Sequence, residues 1–583
     1  MDIKFRELSY GSMKFAGFIN RTISFVNEKQ LYNQELWKSF VDVYRTKEDN
    51  EDARWRCEYW GKMMRGACLC YKYENDPKLY TVLKETVLDM LSTQDEDGRI
   101  STYLKESEFR SWDMWGRKYI MTSLLHFYEI CPEKELKNKV LTAVKKHADY
   151  IIERVGKEEG QINITDTSEW WLGVNSSSIL EPFVNLYNVT KEEKYLNFAR
   201  YIVNEGGIRD GNLIKDVEEG KLLPYQYEEA KAYETMSFFE GVFEYALAIN
   251  DEHLFDIAIK FFELVEESEI SVTGNAGSED ENFSHCSINQ TVKPERFCQE
   301  TCVVVTYMRI MHKLFLITGD DKYYERFIRS GLNSYLSSLN FNNQSGYEYY
   351  SKVVLDPLPF DSYAPLVYDR HGVSTGGLNF MKDGSFYGCC TCIGSAGIGL
   401  IATTSILEDD ESIYINDYFI GEVNNKSIKV NIKGDYIKGE KVILDIHSLK
   451  DVKLRIPSWS NPSIMVNGQE INNIKGHYLS IGKGDLYVTI TFNQKIVKEK
   501  VNDMVMYRYG NIVLGIDELS NLDITLEDIH AKDIKGFKPI ECDDALVCFQ
   551  AEYKGRNLIF KDYASTGKYW DIKKNRLTVF VKE

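Results

Sequence analysis

The sequence predicts an (α/α)6 barrel followed by two small β-sandwich domains. Helix-start signals recur at near-constant spacing through the first two-thirds of the chain. Near residue 407 the pattern changes to short alternating runs separated by glycine turns. At 583 residues the chain exceeds what a single core supports. The expected division is 1–407 for the barrel, 408–500 for one β-sandwich and 501–583 for a second.

The barrel follows from its helix starts. Asp76 is a natural N-cap, Pro77 suits the first helical position, and Leu79, Val82, Leu83, Val87, Met90 and Leu91 mark one face. Cys131-Pro132 precedes Leu136, Val140 and Val144. Thr190 with Glu193 reads as a capping box, Asn250-Asp251 precedes Leu254 and Phe255, and Gly319-Asp320 precedes Tyr323, Tyr324 and Phe327. These starts lie 55, 59, 60 and 70 residues apart, enough each time for two helices and two connections. With helical segments before Asp76 and after Tyr335, six pairs result; an irregular helical array is the plainer alternative. After residue 407, Ser412–Phe419, Ser427–Ile432, Lys441–Ile446, Val452–Ile456 and Leu486–Phe492 read as strands, with turns at Asn467-Gly468 and Gly482–Asp485. Met504–Tyr509, Ile512–Ile516, Leu546–Tyr553 and Leu577–Val581 form the last group.

Composition narrows the function. The chain has 70 Lys and Arg against 89 Asp and Glu, a net charge of −19 that argues against nucleic acid and against an anionic membrane surface. The amino terminus lacks the apolar core of a signal peptide, and no apolar run approaches about 18 residues, so a cytoplasmic protein is expected. Twelve cysteines in 583 residues are not a disulfide framework. Cys57, Cys68, Cys70, Cys131, Cys542 and Cys548 read as small apolar core residues.

Two fragments carry the chemistry: Glu300-Thr301-Cys302 and Cys389-Cys390. Three thiols and a carboxylate suit a zinc ion (Zn2+), which takes four ligands and prefers sulfur. A thiolate on zinc is also a nucleophile held deprotonated at neutral pH. Cys302 opens an apolar helix, Val303–Leu316, with Glu300 at its entrance. Adjacent cysteines on a regular strand point apart, so Cys389 and Cys390 need a bend that Gly388 and Gly394 permit. The segment Val272–Phe283 reads as a Gly-rich, acidic loop.

These motifs resemble the zinc-dependent β-L-arabinofuranosidases, glycoside hydrolase family 127 and its relatives. The resemblance extends through Tyr59-Trp-Gly-Lys62, Gln94–Gly98, Glu281-Asn-Phe283, Leu454–Trp459 and Val466-Asn-Gly468, nearly the whole chain in order. It implies zinc held by Glu300, Cys302, Cys389 and Cys390, with Cys389 as nucleophile and Glu281 as general acid/base. A retaining glycosidase then removes a terminal sugar, a β-L-arabinofuranoside or a related one, from a small glycan. Glu281 must carry a proton for the first step. The expected partner is a small oligosaccharide or glycoside, and a homodimer is allowed.

The chain also departs from that pattern. Thr391-Cys392-Ile393-Gly394 follows the cysteine pair where relatives carry Pro-Pro-Asn and an Arg. The segments aligned with sugar-contacting histidines read Trp115–Tyr119 and Lys231–Met236. Tyr119, Tyr233 and Trp171 are the substrate-contact candidates, and Arg117 or Lys231 near the pocket would suit an acidic sugar. Plainer readings stand beside these. The cluster is a structural zinc staple, or Cys389-x-x-Cys392 is a redox pair; Glu281 belongs to a solvated acidic loop, with Glu279 its rival as acid. Cys286, Cys298 and Cys392 are expected beside the site or in the core. A carbohydrate-binding barrel with lost or altered catalysis is the alternative function. A lyase or unsaturated-uronide hydrolase is disfavoured by the thiolates.

Overall fold

The computed structural model describes residues 3–277, 281–294, 298–341, 347–349, 352–354, 358–369, 377–382, 384–471, 476–568 and 576–583. Six inner helices form a closed ring: Tyr59–Glu74, Asp113–Ile130, Leu180–Thr190, Ala232–Ile249, Thr301–Thr318 and Ser395–Thr404, the last packing back on the first. Each has an outer partner. Pro77–Leu91, Lys134–Arg154, Glu193–Asn204, Glu252–Ser268 and Asp321–Ser330 follow their inner helices directly. Gly17–Val26 packs on the final one, so the chain's first helix closes the sixth pair.

The outer helices are the ones whose starts the sequence shows. Asp76 accepts from the N–H of Lys78 and Leu79, Asp251 from Leu254, and Asp320 from Lys322. One cap differs. Thr190 ends an inner helix, its hydroxyl donates to Leu186 O and accepts from Glu192 N, and the next helix starts at Glu193, so no capping box forms. The inner helices are buried all round, which blurs their periodicity. Close approach is met by glycine: a Cβ on Gly61 would lie 2.6 Å from the Tyr119 carbonyl oxygen, and one on Gly399 2.7 Å from Leu69 Cβ. Thr301–Thr318 is long and apolar enough to cross a membrane by length and composition, contrary to the sequence reading, and is here a buried inner helix.

The β region begins with two sheets. One runs Arg6–Glu7, Ile406–Glu408, Ser412–Ile415, Asp451–Arg455, Tyr478–Ser480. The other runs Gln469–Glu470, Ser463–Val466, Gly484–Thr491, Val442–Ser448, Ile428–Lys433, Gly421–Asn424, Met13–Phe15. Period-2 burial is plain in Ile428–Lys433, where Ile428, Val430 and Ile432 are buried and the residues between are exposed. Two strands come from the amino terminus, so the first β unit and the barrel share a chain end. A third sheet, built on Ile496–Val501, Met504–Tyr509, Ile512–Asp517, Arg556–Asp562, Cys548–Tyr553 and Ile534–Pro539, takes in Val367–Asp369 from the barrel side through Arg576–Thr578. Arg455 ties sandwich to barrel: it reaches Asp321 at 2.5 Å and Glu325 at 2.5 Å on an outer helix. Cys542 and Cys548 are joined as a disulfide, which corrects their reading as core thiols; they face each other because the segment before Cys548–Tyr553 doubles back.

Candidate active site

The first turns of two inner helices, Tyr59–Glu74 and Thr301–Thr318, meet at the sulfur cluster, where Lys62 Nζ lies 3.3 Å from Cys302 Sγ. Glu300 is the N-cap residue of Thr301–Thr318 and makes no side-chain cap bond, which leaves its carboxylate for other partners. The strand Phe386–Gly388 turns directly into the short helix Cys389–Ile393, and this strand-to-helix switch puts both cysteines on one side. The flanking glycines do not make the bend. Gly388 is extended and Gly394 is helical; they are glycines because a Cβ would lie 2.6 Å from Leu378 or 2.4 Å from the Phe360 ring.

The donor atoms of Glu300, Cys302, Cys389 and Cys390 lie within 4.8 Å of one another, all buried. Cys389 Sγ and Cys390 Sγ are 3.8 Å apart, and Cys390 Sγ is 3.8 Å from Glu300 Oε1. A tetrahedral ion with sulfur at about 2.3 Å requires sulfurs about 3.8 Å apart. The second carboxylate oxygen of Glu300 is buried and makes no hydrogen bond. Donor set and spacing therefore fit a four-coordinate metal ion. Cys389 is 8% exposed against 0% for Cys302 and 1% for Cys390, so it is the least buried of the three thiols. Gly377 backs it: a Cβ there would come within 2.9 Å of Cys389 Sγ. Cys392 is buried near the cluster, whereas Cys286 belongs to a separate apolar cluster with Leu366 and Met506.

Hydrogen bonds from Cys302 and Cys390, and then the Lys62 charge, hold the Cys389 thiol well below its usual pKa. Burial, joined by the charges of Glu281 and Cys389, pushes the Glu300 carboxyl up. Lys62 Nζ lies 3.3 Å from Cys302 Sγ and 2.9 Å from Glu58 Oε2. Burial opposes its charge, but these two neighbours outweigh it and hold its pKa well above the usual lysine value. Burial, opposed by Lys62, raises Glu58 to about 8.

Glu281 lies at the cluster's edge. Its carboxylate accepts from Lys231 Nζ and from the Tyr363 hydroxyl. Tyr363 pairs through its backbone with Glu300, so one tyrosine links the acid candidate to the cluster. Ala232 N donates to Glu281 O, Phe283 N donates to Ala230 O, and Asn275 Nδ2 reaches Glu300 O at 3.0 Å. These bonds hold Glu281 at φ +64°, a left-handed conformation that costs a non-glycine residue energy. Trp171 and Leu172 are left-handed too, at +53° and +48°. Glu279 lies outside the described residues.

Trp171 is half-buried, with Lys231 Nζ 4.5 Å from its ring centre. Tyr119 and Tyr233 are buried, with their hydroxyls hydrogen-bonded to each other and Lys62 Nζ 4.4 Å from the Tyr233 ring centre. Arg117 is not at the pocket. It pairs with Asp113 at 3.0 Å and Glu108 at 2.7 Å over the Phe109 ring, because its turn of the helix faces outward. Of the two cations considered for an acidic sugar, only Lys231 reaches the site. Glu58, Glu234 and Tyr363 had no local sequence signal. Glu234 is buried, one carboxylate oxygen makes no hydrogen bond, and burial, opposed by Lys231, raises it to about 7.

The sequence profile of the GH127 β-L-arabinofuranosidase catalytic domain matches residues 16–362. No curated protein matches the chain by sequence. Among solved structures, a GH127 β-arabinofuranosidase superposes with a TM-score of 0.74 at 17% identity, covering 100% of this chain and 98% of its own. A GH127 β-L-arabinofuranosidase from Geobacillus stearothermophilus T6 gives 0.70 at 17% identity with 100% of both chains covered. A structure described as a glycoside hydrolase gives 0.70 at 14% identity, covering 100% and 98%. The fold is shared along the whole length, the profile spans more than half of the chain, and the chain belongs to the GH127 β-L-arabinofuranosidase family of glycoside hydrolases.

Proposed function

We propose that the chain is a retaining glycosidase in which Cys389 is the nucleophile and Glu281 the acid/base, acting on a terminal sugar of a small glycan. The observation that carries this reading is the geometry of Glu300, Cys302, Cys389 and Cys390: three thiols and a carboxylate at metal-binding separation, with Cys389 the least buried of the thiols. Zinc is the ion this donor set suits, and it would keep the thiolate ionised and oriented.

Cys389 Sγ attacks the anomeric carbon as the glycosidic C–O bond breaks, and Glu281 gives its proton to the departing oxygen. A carbon–sulfur bond now holds the sugar. Glu281, deprotonated, takes a proton from water; the water oxygen bonds the anomeric carbon, the C–S bond breaks, and the thiolate is restored. Tyr363 and Lys231 orient the Glu281 carboxyl. Trp171 offers a ring face at the pocket edge. The β-L-arabinofuranoside is the default substrate, with specificity shifted by Lys231 and Glu234 where relatives read sugar hydroxyls with histidine.

A second reading, sugar binding around a metal staple without turnover, is favoured by one observation: both Glu281 oxygens are already engaged, by Lys231 and Tyr363. One experiment separates the two. The protein is incubated with activated nitrophenyl glycosides, neutral and uronic, and examined for released nitrophenol and by peptide mass spectrometry. Turnover with a sugar adduct on Cys389, accumulating in Glu281→Gln, supports the glycosidase. Binding of a glycoside with no release from any member of the panel favours the second reading.

A further inference from the structure

Below the sulfur cluster, near the middle of the inner helices Tyr59–Glu74, Ala232–Ile249 and Thr301–Thr318, the barrel axis is lined by charge. Arg65 Nη2 lies 3.0 Å from Glu181 Oε2, and Arg309 Nε lies 2.8 Å from Glu240 Oε1. Lys313 Nζ lies 2.9 Å from Glu240 and 2.5 Å from Glu244. These pairs leave donors over. Nε and Nη1 of Arg65, Nη1 of Arg309 and Nζ of Lys118 are buried and make no hydrogen bond. Arg65 and Lys118 are 0% exposed and Arg309 3%. Burial without an acceptor brings Lys118 down to about 7, with Glu181 opposing and Arg65 adding to the shift.

Arg65 and Arg309 face a cavity of about 740 Å³ that opens at the end of the barrel opposite the cluster. That volume is in the range of small-molecule sites, roughly 300–1,000 Å³. Its charged lining holds six Lys or Arg against four Glu, a positive excess in a chain of net charge −19. Leu69, Leu125, Val189, Leu316 and Leu400 supply an apolar wall. Buried guanidinium N–H groups without acceptors are costly, and a planar fork of donors is matched by the oxygens of a carboxylate or phosphate.

We propose that this cavity is a second binding site, for a small molecule with an oxyanion head received between Arg65 and Arg309 and a body against the apolar wall. It is separate from the sugar pocket, and it stands whether or not the proposed catalytic roles do.

The test is calorimetric titration of the full chain with inorganic phosphate, acetate and hexanoate, with potassium chloride at matched ionic strength as control. Saturable 1:1 binding beyond chloride is expected, with a rise in Tm. Phosphate as the tightest probe identifies a phosphate head, and hexanoate tighter than acetate and phosphate identifies a carboxylate with an apolar body. Arg65→Met and Asn185→Trp, the latter filling the cavity with every charge in place, should each weaken binding at least tenfold, while a neutral glycoside does not displace the anion. No saturable binding of any probe, unchanged affinity in Asn185→Trp, or displacement by the glycoside overturns the proposal. Should Arg65→Met not fold, Asn185→Trp alone decides.

Discussion

Lys62 Nζ lies 3.3 Å from Cys302 Sγ, which belongs to another inner helix of the ring, Thr301–Thr318. With Glu58 at 2.9 Å, the ammonium is wedged between a thiol and a carboxylate in a buried position. Breaking such a pair by removing one partner strands the other charge.

We therefore expect Lys62→Met to destabilise the fold by about 3–5 kcal/mol above about pH 8, where the Glu58 carboxyl has lost its proton, as for other buried pairs cut on one side. The double variant Lys62→Met/Glu58→Gln should recover a large part of that loss, since the amide that replaces the Glu58 carboxylate is neutral and keeps an oxygen for Trp115 Nε1. Denaturant melts of the single and double variants check it; equal losses would show that the Glu58 charge is not what Lys62 balances.

Purified protein should carry about one zinc per chain by elemental analysis, and chelation should lower Tm, because a filled metal site adds its binding energy to the folded state. Cys302→Ala should remove the metal and weaken the fold more than Cys389→Ser, because Cys302 is the more deeply buried of the two. Metal-free protein with a Tm indifferent to chelators would contradict this.

Glu281→Gln should lower kcat about 100-fold or more toward glycosides with poor leaving groups, and much less toward dinitrophenyl glycosides that need no protonation. Tm and metal content should stay as in the parent. An equal loss on both substrate types would remove Glu281 from the acid role.

Lys231→Met should reduce kcat/KM for uronic glycosides at least tenfold relative to neutral ones, since it removes the pocket cation and leaves Trp171 in place. A uniform change across the panel would assign Lys231 to positioning Glu281 rather than to reading the sugar.

His147 is buried and neutral, with Nδ1 accepting from Ile100 N at 3.1 Å. Burial lowers its pKa from 6.5 to about 3, so the unfolded chain binds the proton first as pH falls. The stability it contributes is present above about pH 6.5 and is lost toward pH 3, at about 1.4 kcal/mol per pH unit. His312, lowered to about 4 by burial, adds to the slope. Melts at pH 7, 6 and 5 should show a steep decline that is shallower in His147→Gln; parallel declines would refute the assignment.

The sequence by itself determined the elements whose signals are local. Asp76, Asp251 and Asp320 cap outer helices because a carboxylate two or three residues before the free N–H groups of a first turn is a short-range interaction. The alternation in Ile428–Lys433 marks a strand with one covered face. Glu300-Thr-Cys302 and Cys389-Cys390 stand out because thiols and a carboxylate are rare in such company, and the fold brings them within 4.8 Å. What only the tertiary structure decided depends on distant neighbours. Inner helices buried on every side lose their periodicity, so Arg117 and Lys231 look alike in sequence, yet one turns outward to Glu108 and the other reaches Glu281. Tyr363 joins the site only because its strand pairs with Glu300. Gly388 and Gly394 read as permitting a bend, but the chain needs them for packing against Leu378 and Phe360, since van der Waals space is set by whatever the fold places opposite.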